Sequence, residues 1–265
     1  MRANIYDQLA KIDESHWWVL YRRKLTAGFL KRLGVDDVKG TRALDMGCGT
    51  GGNTAFLKMF APDVTGVDIS ENALGYAKVN YPGCNFVRGD IRRVSEMFRE
   101  GTFKLVTIFN VLYHEWVPDE AEAIREAYRV LSPGGFLVMT EPAFNFLYRA
   151  HDRETMTKKR YRLGEFTGIL ERTGFKVKVW TYFGIFNFFP ALVLSLLDRV
   201  RGAVTGHGGN NRKIAELGLP GKRTNSFLLA LMMAEGSAIQ AGLKVPFGVT
   251  ILCIAQKPAG EARKV

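Results

Sequence analysis

Short apolar runs alternate with segments of helical periodicity through the first two-thirds of the chain. Strand-like runs fall at 42–46, 64–68, 85–88, 105–111, 136–140, 176–183 and 247–256. Helical segments lie between the early ones. Ser70 is placed to cap a helix over 71–80. Pro118 opens an amphipathic segment in which Ala121, Ile124, Ala127, Tyr128 and Leu131 share a face. Gly174 closes a helix written LGEFTGILERTG. Such alternation predicts parallel βαβ units, an α/β class and a doubly wound sheet.

Two stretches interrupt the rhythm, 143–162 and 184–246. The second is too long for an ordinary connection and is rich in helix formers, so it is expected to fold as a helical cap. The organisation that follows is an N-terminal helical cap segment at 1–40 and a core at 41–183 plus 247–257. The cap insertion at 184–246 and a flexible tail at 258–265 complete it. The stretch VWTYFGIFNFFPALVLSLL, 179–197, holds no charge and is nearly long enough to cross a bilayer core. Its first part continues the alternating strand KVKVWTYF, whose natural partner is GVTILCIAQ near the chain end. Pro190 should begin a separate helix, leaving too short a piece to span. Phe186 and Phe189 would lead an apolar approach to the cap, either core or a surface that dips into a lipid interface.

The chain has 265 residues, 47% hydrophobic and 24% charged, which suits a full core and argues against disorder. Its formal charge of +11 favours an anionic partner. Cys48, Cys84 and Cys253 lie far apart with no CxxC spacing, so neither a metal site nor a disulfide framework is expected. With no apolar leader in MRANIYDQLAKIDE, the expected location is the cytoplasm, with contact at the inner face of an anionic membrane left open. No RNA-binding module is visible despite the charge.

The chemistry concentrates in ALDMGCGTGG. Gly47, Gly49 and Gly52 satisfy the dinucleotide pattern GxGxxG. Asp45 precedes them, and a carboxylate there would repel a pyrophosphate but suit a cationic ligand. Asp45, Gly47, Gly49 and Gly51 also form DxGxGxG, which resembles motif I of the class I S-adenosylmethionine (SAM) methyltransferases. VTGVDIS, VRGDI and RVLSPGGFLVMTEP resemble later motifs of that family, in its order. HWW followed by RR resembles an N-terminal pattern of the methyltransferase-11/23 type, as do HD…RYR and a PFG lead into the last strand.

The resemblance implies a Rossmann-like seven-stranded sheet and SAM as cofactor, without metal. It places SAM against Asp45, Gly47, Cys48, Gly49, Gly51, Asp68, Ile69, Asp90, Ile91, Asn110 and Val111. Tyr21, Arg22 or Arg23 would approach the methionine carboxylate, Tyr21 and Arg23 being the pair singled out; packing on the cap is the competing role for that helix. Methyl transfer mainly requires alignment and desolvation, but a high-pKa oxygen acceptor also needs a base. His114 is the first candidate, and His151 beside Asp152 the second. Tyr113, Glu115, Arg160, Tyr161, Phe186 and Phe189 are candidates for the acceptor. Basic and apolar features together suit an amphiphilic acceptor such as a lipid, isoprenoid or lipid-linked saccharide. A soluble metabolite, RNA binding and a non-catalytic SAM-binding role are the alternatives.

Overall fold

The computed structural model describes residues 11–35, 40–205 and 220–259. The expected tail, and the N-terminal part of the expected cap segment, lie largely outside them. One seven-stranded sheet has the order β3-β2-β1-β4-β5-β7-β6. Its strands are β1 Arg42–Met46, β2 Asp63–Asp68, β3 Asn85–Arg88, β4 Phe103–Phe109, β5 Leu131–Pro142, β6 Lys176–Phe183 and β7 Thr250–Gln256. The first five pair in parallel, and β7 runs antiparallel between β5 and β6. The pairing of KVKVWTYF with the last strand is therefore as the alternating pattern demands.

The helices are α1 Trp17–Arg32, α2 Gly52–Phe56, α3 Glu71–Asn80, α4 Glu120–Val130, α5 Ala150–Glu154, α6 Leu163–Thr173, α7 Ile185–Thr205 and α8 Lys222–Gln240. Ser70 caps α3 by accepting from the Ala73 amide, and Gly174 ends α6 in the left-handed conformation. The central strands are almost wholly buried, as parallel strands covered on both faces must be.

Strand β4 stops at Phe109, two residues short of expectation, β5 begins five residues early at Leu131, and the helix expected to open at Pro118 starts at Glu120 behind an Asp119 cap; the largest difference is in α7. Helix α7 runs through Pro190 instead of starting there. Proline removes one N–H and frees the carbonyl four residues earlier, here that of Phe186. Both residues lie on the exposed side of α7, where water can take that carbonyl, so the interruption is tolerated.

Helices α1 and α8 pack together and tie the insertion to the core. Tyr21 donates to Glu235 Oε1 at 3.1 Å, and Glu235 also accepts from the amides of Gly184 and Ile185. Asn225 Oδ1 accepts from the Trp17 amide at 3.0 Å, so α8 caps the start of α1. The Trp18 ring stacks on Phe183 at the end of β6, 5.3 Å between centroids.

Candidate cofactor and acceptor site

The site forms at the carboxyl ends of β1, β2, β4 and β5, where doubly wound sheets hold ligands. After β1 the chain crosses the end of β2, with the amides of Gly47 and Cys48 both donating to the Val67 carbonyl. Gly47 has φ +80, and an added Cβ would lie 2.5 Å from Val111 Cγ2. Over Gly49 the space is open. Asp68 fixes this turn, accepting from the Gly49 amide at 2.8 Å and from the Ser70 amide at 2.8 Å. Its carboxylate is half-buried and keeps room for further donors.

Asp45 has a different place from the one expected. It is buried, and its two oxygens accept from the hydroxyls of Thr54 and Thr107, each at 2.8 Å. It braces the glycine turn against α2 and β4 and reaches a ligand only through its charge. Burial pushes its carboxyl up to about 6, against those hydroxyl bonds and two nearby arginines. Asp90 is turned into a bidentate pair with Arg92, and its oxygen also accepts from the Arg92 amide. Cys48 and Ile91 are buried, whereas Ile69 is half exposed.

The residues of α1 divide between the two roles foreseen for that helix. Tyr21 is fully buried against Glu235, so it serves the cap and not the ligand. Arg23 is held by Asp13 and by Asn53 Oδ1. Arg22 is the residue that turns to the site. It is buried, its Nη2 donates to Asn53 Oδ1 at 3.0 Å, and its guanidinium lies 5.3 Å from the Phe109 ring centroid. Oriented to donate to Thr140, the Asn110 amide accepts from Arg22 Nη1 at 3.1 Å. Arg22 Nε has no partner. Burial and the neighbouring Arg23 pull Arg22 down to about 10, while Asp13, Asp45 and Glu141 oppose the shift. A buried cation with an unused N–H fits a ligand carboxylate.

Glu141, at the end of β5, was not singled out in the sequence. It is fully buried and accepts three backbone amides of the loop after β4: Val111 at 3.0 Å, Leu112 at 2.8 Å and Tyr113 at 3.2 Å. Burial pushes its carboxyl up to about 8, against those three bonds. Asn110 stands at φ +58 at the start of this loop, a conformation Asn tolerates better than most residues. Glu141 thus shapes the segment carrying Asn110, Val111, Tyr113 and His114.

Tyr113 is half-buried, with Glu141 and Asp152 raising its phenol, Arg22 and Arg160 opposing, and burial the main cause of a rise to about 12. It is the acceptor candidate that sits between the cofactor wall and the 143–162 interruption. His114 Nδ1 accepts from the Trp116 amide at 3.2 Å, which leaves the neutral ring's proton on Nε2. In that form it offers a donor, and burial lowers its affinity for a second proton. Glu115 is exposed, and its amide bonds the Met156 carbonyl.

The pairing of His151 with Asp152 does not form. Asp152 is buried in an ion pair with Arg160, Nε–Oδ1 2.9 Å, and accepts from the Arg149 amide, while His151 is exposed. Arg160 is accordingly occupied as well, donating further to the Ala143 carbonyl. Tyr161 is fully buried and donates to the Leu112 carbonyl at 2.8 Å, holding the same loop from below. Phe186 and Phe189 stand exposed on α7, the latter against Phe188 and Phe247.

Comparison with known proteins agrees with this geometry. Residues 44–139 match a family model described as a methyltransferase domain. A demethylmenaquinone methyltransferase of Staphylococcus aureus is 35% identical over 163 residues, 57% of this chain and 64% of the relative. The chain thus spans less than two thirds of that relative's length. Among solved structures, a putative sarcosine dimethylglycine methyltransferase from Galdieria sulphuraria has a TM-score of 0.59 at 14% identity, covering 91% of this chain and 87% of the other. Phosphoethanolamine N-methyltransferase 2 of Haemonchus contortus, in complex with SAM, has a TM-score of 0.54 at 20% identity, over 89% and 52%. Both share the fold.

Proposed function

From the premise that this chain carries a class I SAM-dependent methyltransferase domain, we propose that it methylates an amphiphilic or anionic acceptor. A lipid, an isoprenoid compound or a lipid-linked saccharide fits, with oxygen as the receiving atom. One observation carries the cofactor half: Arg22 is buried with an unpaired Nε–H, in a site whose glycine turn leaves open space over Gly49. SAM supplies an electrophilic methyl group. Arg22 would take its carboxylate, Asp68 its ribose hydroxyls, and the loop pinned by Glu141 would hold Asn110 and Val111 against it. Tyr113, neutral at physiological pH, would orient the acceptor by donating a hydrogen bond. The charge of +11 and the name of the quinone-methylating relative support the acceptor class.

His114 would serve as base only after releasing the Trp116 amide; loss of kcat in His114→Ala with SAM affinity kept would support that role, and unchanged kcat would remove it. His151 lacks an acid partner and ranks behind it. Contact with the inner, anionic face of a membrane goes with such an acceptor, and free thiols at Cys48, Cys84 and Cys253 suit a cytoplasmic setting. The test is incubation with tritiated SAM and fractionated cell extract. Label in solvent-extractable lipid is expected. Label confined to water-soluble metabolites would overturn the acceptor class.

A further inference from the structure

Helix α7 is amphipathic in the wrong sense for a soluble surface. Phe186, Phe189, Val193, Leu196, Leu197 and Val200 are 44–62% exposed. They recur at spacings of three and four with neighbours on one side of the helix, and no charge interrupts α7 before Asp198. The opposite side carries what is buried: Phe188, and Ser195, which donates to the Phe146 carbonyl at 2.7 Å. An ordinary surface helix turns its apolar stripe to the core. An exposed contiguous apolar face of this kind marks an interaction site. Among the described residues no helix is long and apolar enough to cross a membrane, so α7 does not span one.

The charge of the segment that carries this face selects the occupant. Residues 184–246 hold seven basic side chains and three acidic ones. Of the acids, Glu235 is buried under Tyr21, and Asp198 pairs with Arg149. Lys222, Arg223 and Lys244 of the same insertion are exposed. An apolar stripe within a cationic segment matches a surface that is apolar inside and anionic at its edge.

The face is also continuous with the site. Ring contacts run from exposed Phe189 to Phe188 at 5.6 Å, from Phe188 to Phe144 at 6.0 Å, and from Phe144 to Tyr182 at 4.8 Å. Phe144 follows β5 by two residues and is held at φ +62, a strained conformation for a bulky side chain. The aromatic ladder therefore leads from the outer face of α7 to the carboxyl edge of the sheet.

We propose that α7 lies in the interface of an anionic bilayer, its Phe186–Val200 stripe among the acyl chains, and that the aromatic ladder admits an apolar acceptor from there to the site. The acceptor part rests on the function proposed above; the docking part does not. The probe is sedimentation with vesicles of phosphatidylcholine alone and with a third phosphatidylglycerol. The parent should bind the mixed vesicles, and 0.5 M salt should weaken the binding, since surface charge attraction is screened within about 4 Å there. The triple variant Val193→Ser, Leu196→Ser, Val200→Ser removes only exposed side chains. Its partition should fall at least about tenfold, as each buried methylene contributes on the order of 0.8 kcal/mol.

SAM affinity by calorimetry and the thermal midpoint should stay at the parent's values, which separates loss of docking from loss of folding or of the cofactor site. Failure of the parent to bind mixed vesicles, or equal binding of parent and triple variant, overturns the proposal. A parent dimer that the triple variant converts to monomer would assign the face to a second copy and overturn it too. Vesicle binding that depends on the stripe, with no methyl transfer to any lipid, would leave docking standing and remove the acceptor class.

Discussion

Glu141→Ala should be among the most damaging single changes in the site. Three backbone amides, of Val111, Leu112 and Tyr113, lose their acceptor. A buried donor left unpaired costs about 1–3 kcal/mol, so three of them put the loss on the order of 3–9 kcal/mol. That is a large share of the ~5–15 kcal/mol by which domains are usually stable. Glu141→Gln is the informative companion. Its amide oxygen can keep the two bonds made by Oε1, while its NH₂ faces the Tyr113 amide, so about 1 kcal/mol is lost. The parent also separates from both variants by pH, since neither Ala nor Gln titrates. Burial raises the Glu141 carboxyl from 4.5 to about 8. Between those values the folded protein holds a proton that the unfolded chain has released, so stability must fall as pH rises through this window. Asp45, raised from 3.8 to about 6, acts in the same direction at lower pH. Urea unfolding at steps from pH 5 to 8 is the assay. The parent should lose stability throughout, whereas Glu141→Gln should lose it mainly below about pH 6, where Asp45 titrates. A Glu141→Ala variant within 1 kcal/mol of the parent, or a Glu141→Gln variant with the parent's slope above pH 6, would refute the placement of this carboxyl.

The other predictions concern ligand binding. Asp68→Asn can satisfy only one of the two amides that Asp68 now accepts, and it removes the charge, so calorimetry should show SAM binding at least ~10-fold weaker, about 1.4 kcal/mol. Arg22→Gln should weaken SAM binding by about 10- to 100-fold, the worth of a charge-assisted bond, and should cost more than Arg23→Gln; the reverse order would return the carboxylate contact to Arg23. Gly47→Ala should abolish SAM binding and lower the thermal midpoint, because φ +80 and a Cβ 2.5 Å from Val111 Cγ2 cannot both be accommodated; an unchanged midpoint with normal binding would show that this turn relaxes freely.

What the sequence made legible, and what it hid, follow from the range of the interactions involved. Strand and helix positions, the Ser70 and Gly174 caps and the β6–β7 pairing are set by local periodicity and turn chemistry, and they appear where the pattern puts them. The glycine turn was readable for the same reason. Roles decided across the fold were not. Tyr21 and Arg22 are neighbours, yet one meets Glu235, 214 positions away, and the other meets Asn53 and Asn110. A signal did exist: Leu25 and Phe29 stand three and seven positions after Arg22, which puts Arg22 on the apolar face of that helix.

Glu141 was hidden differently. It sits inside a run of apolar strand residues, VMTEP, where a carboxyl reads as a local exception. A carboxyl in a fully buried strand is tolerated only with hydrogen-bond partners in reach, and the loop after β4 supplies three amides. The same logic reassigns Asp45 and Asp152, whose oxygens bond within the fold. Arg22 differs from them in one respect: it is buried with an N–H still unspent. A buried group with nothing left to bond shapes a site, whereas one with a free donor is placed to meet what enters it.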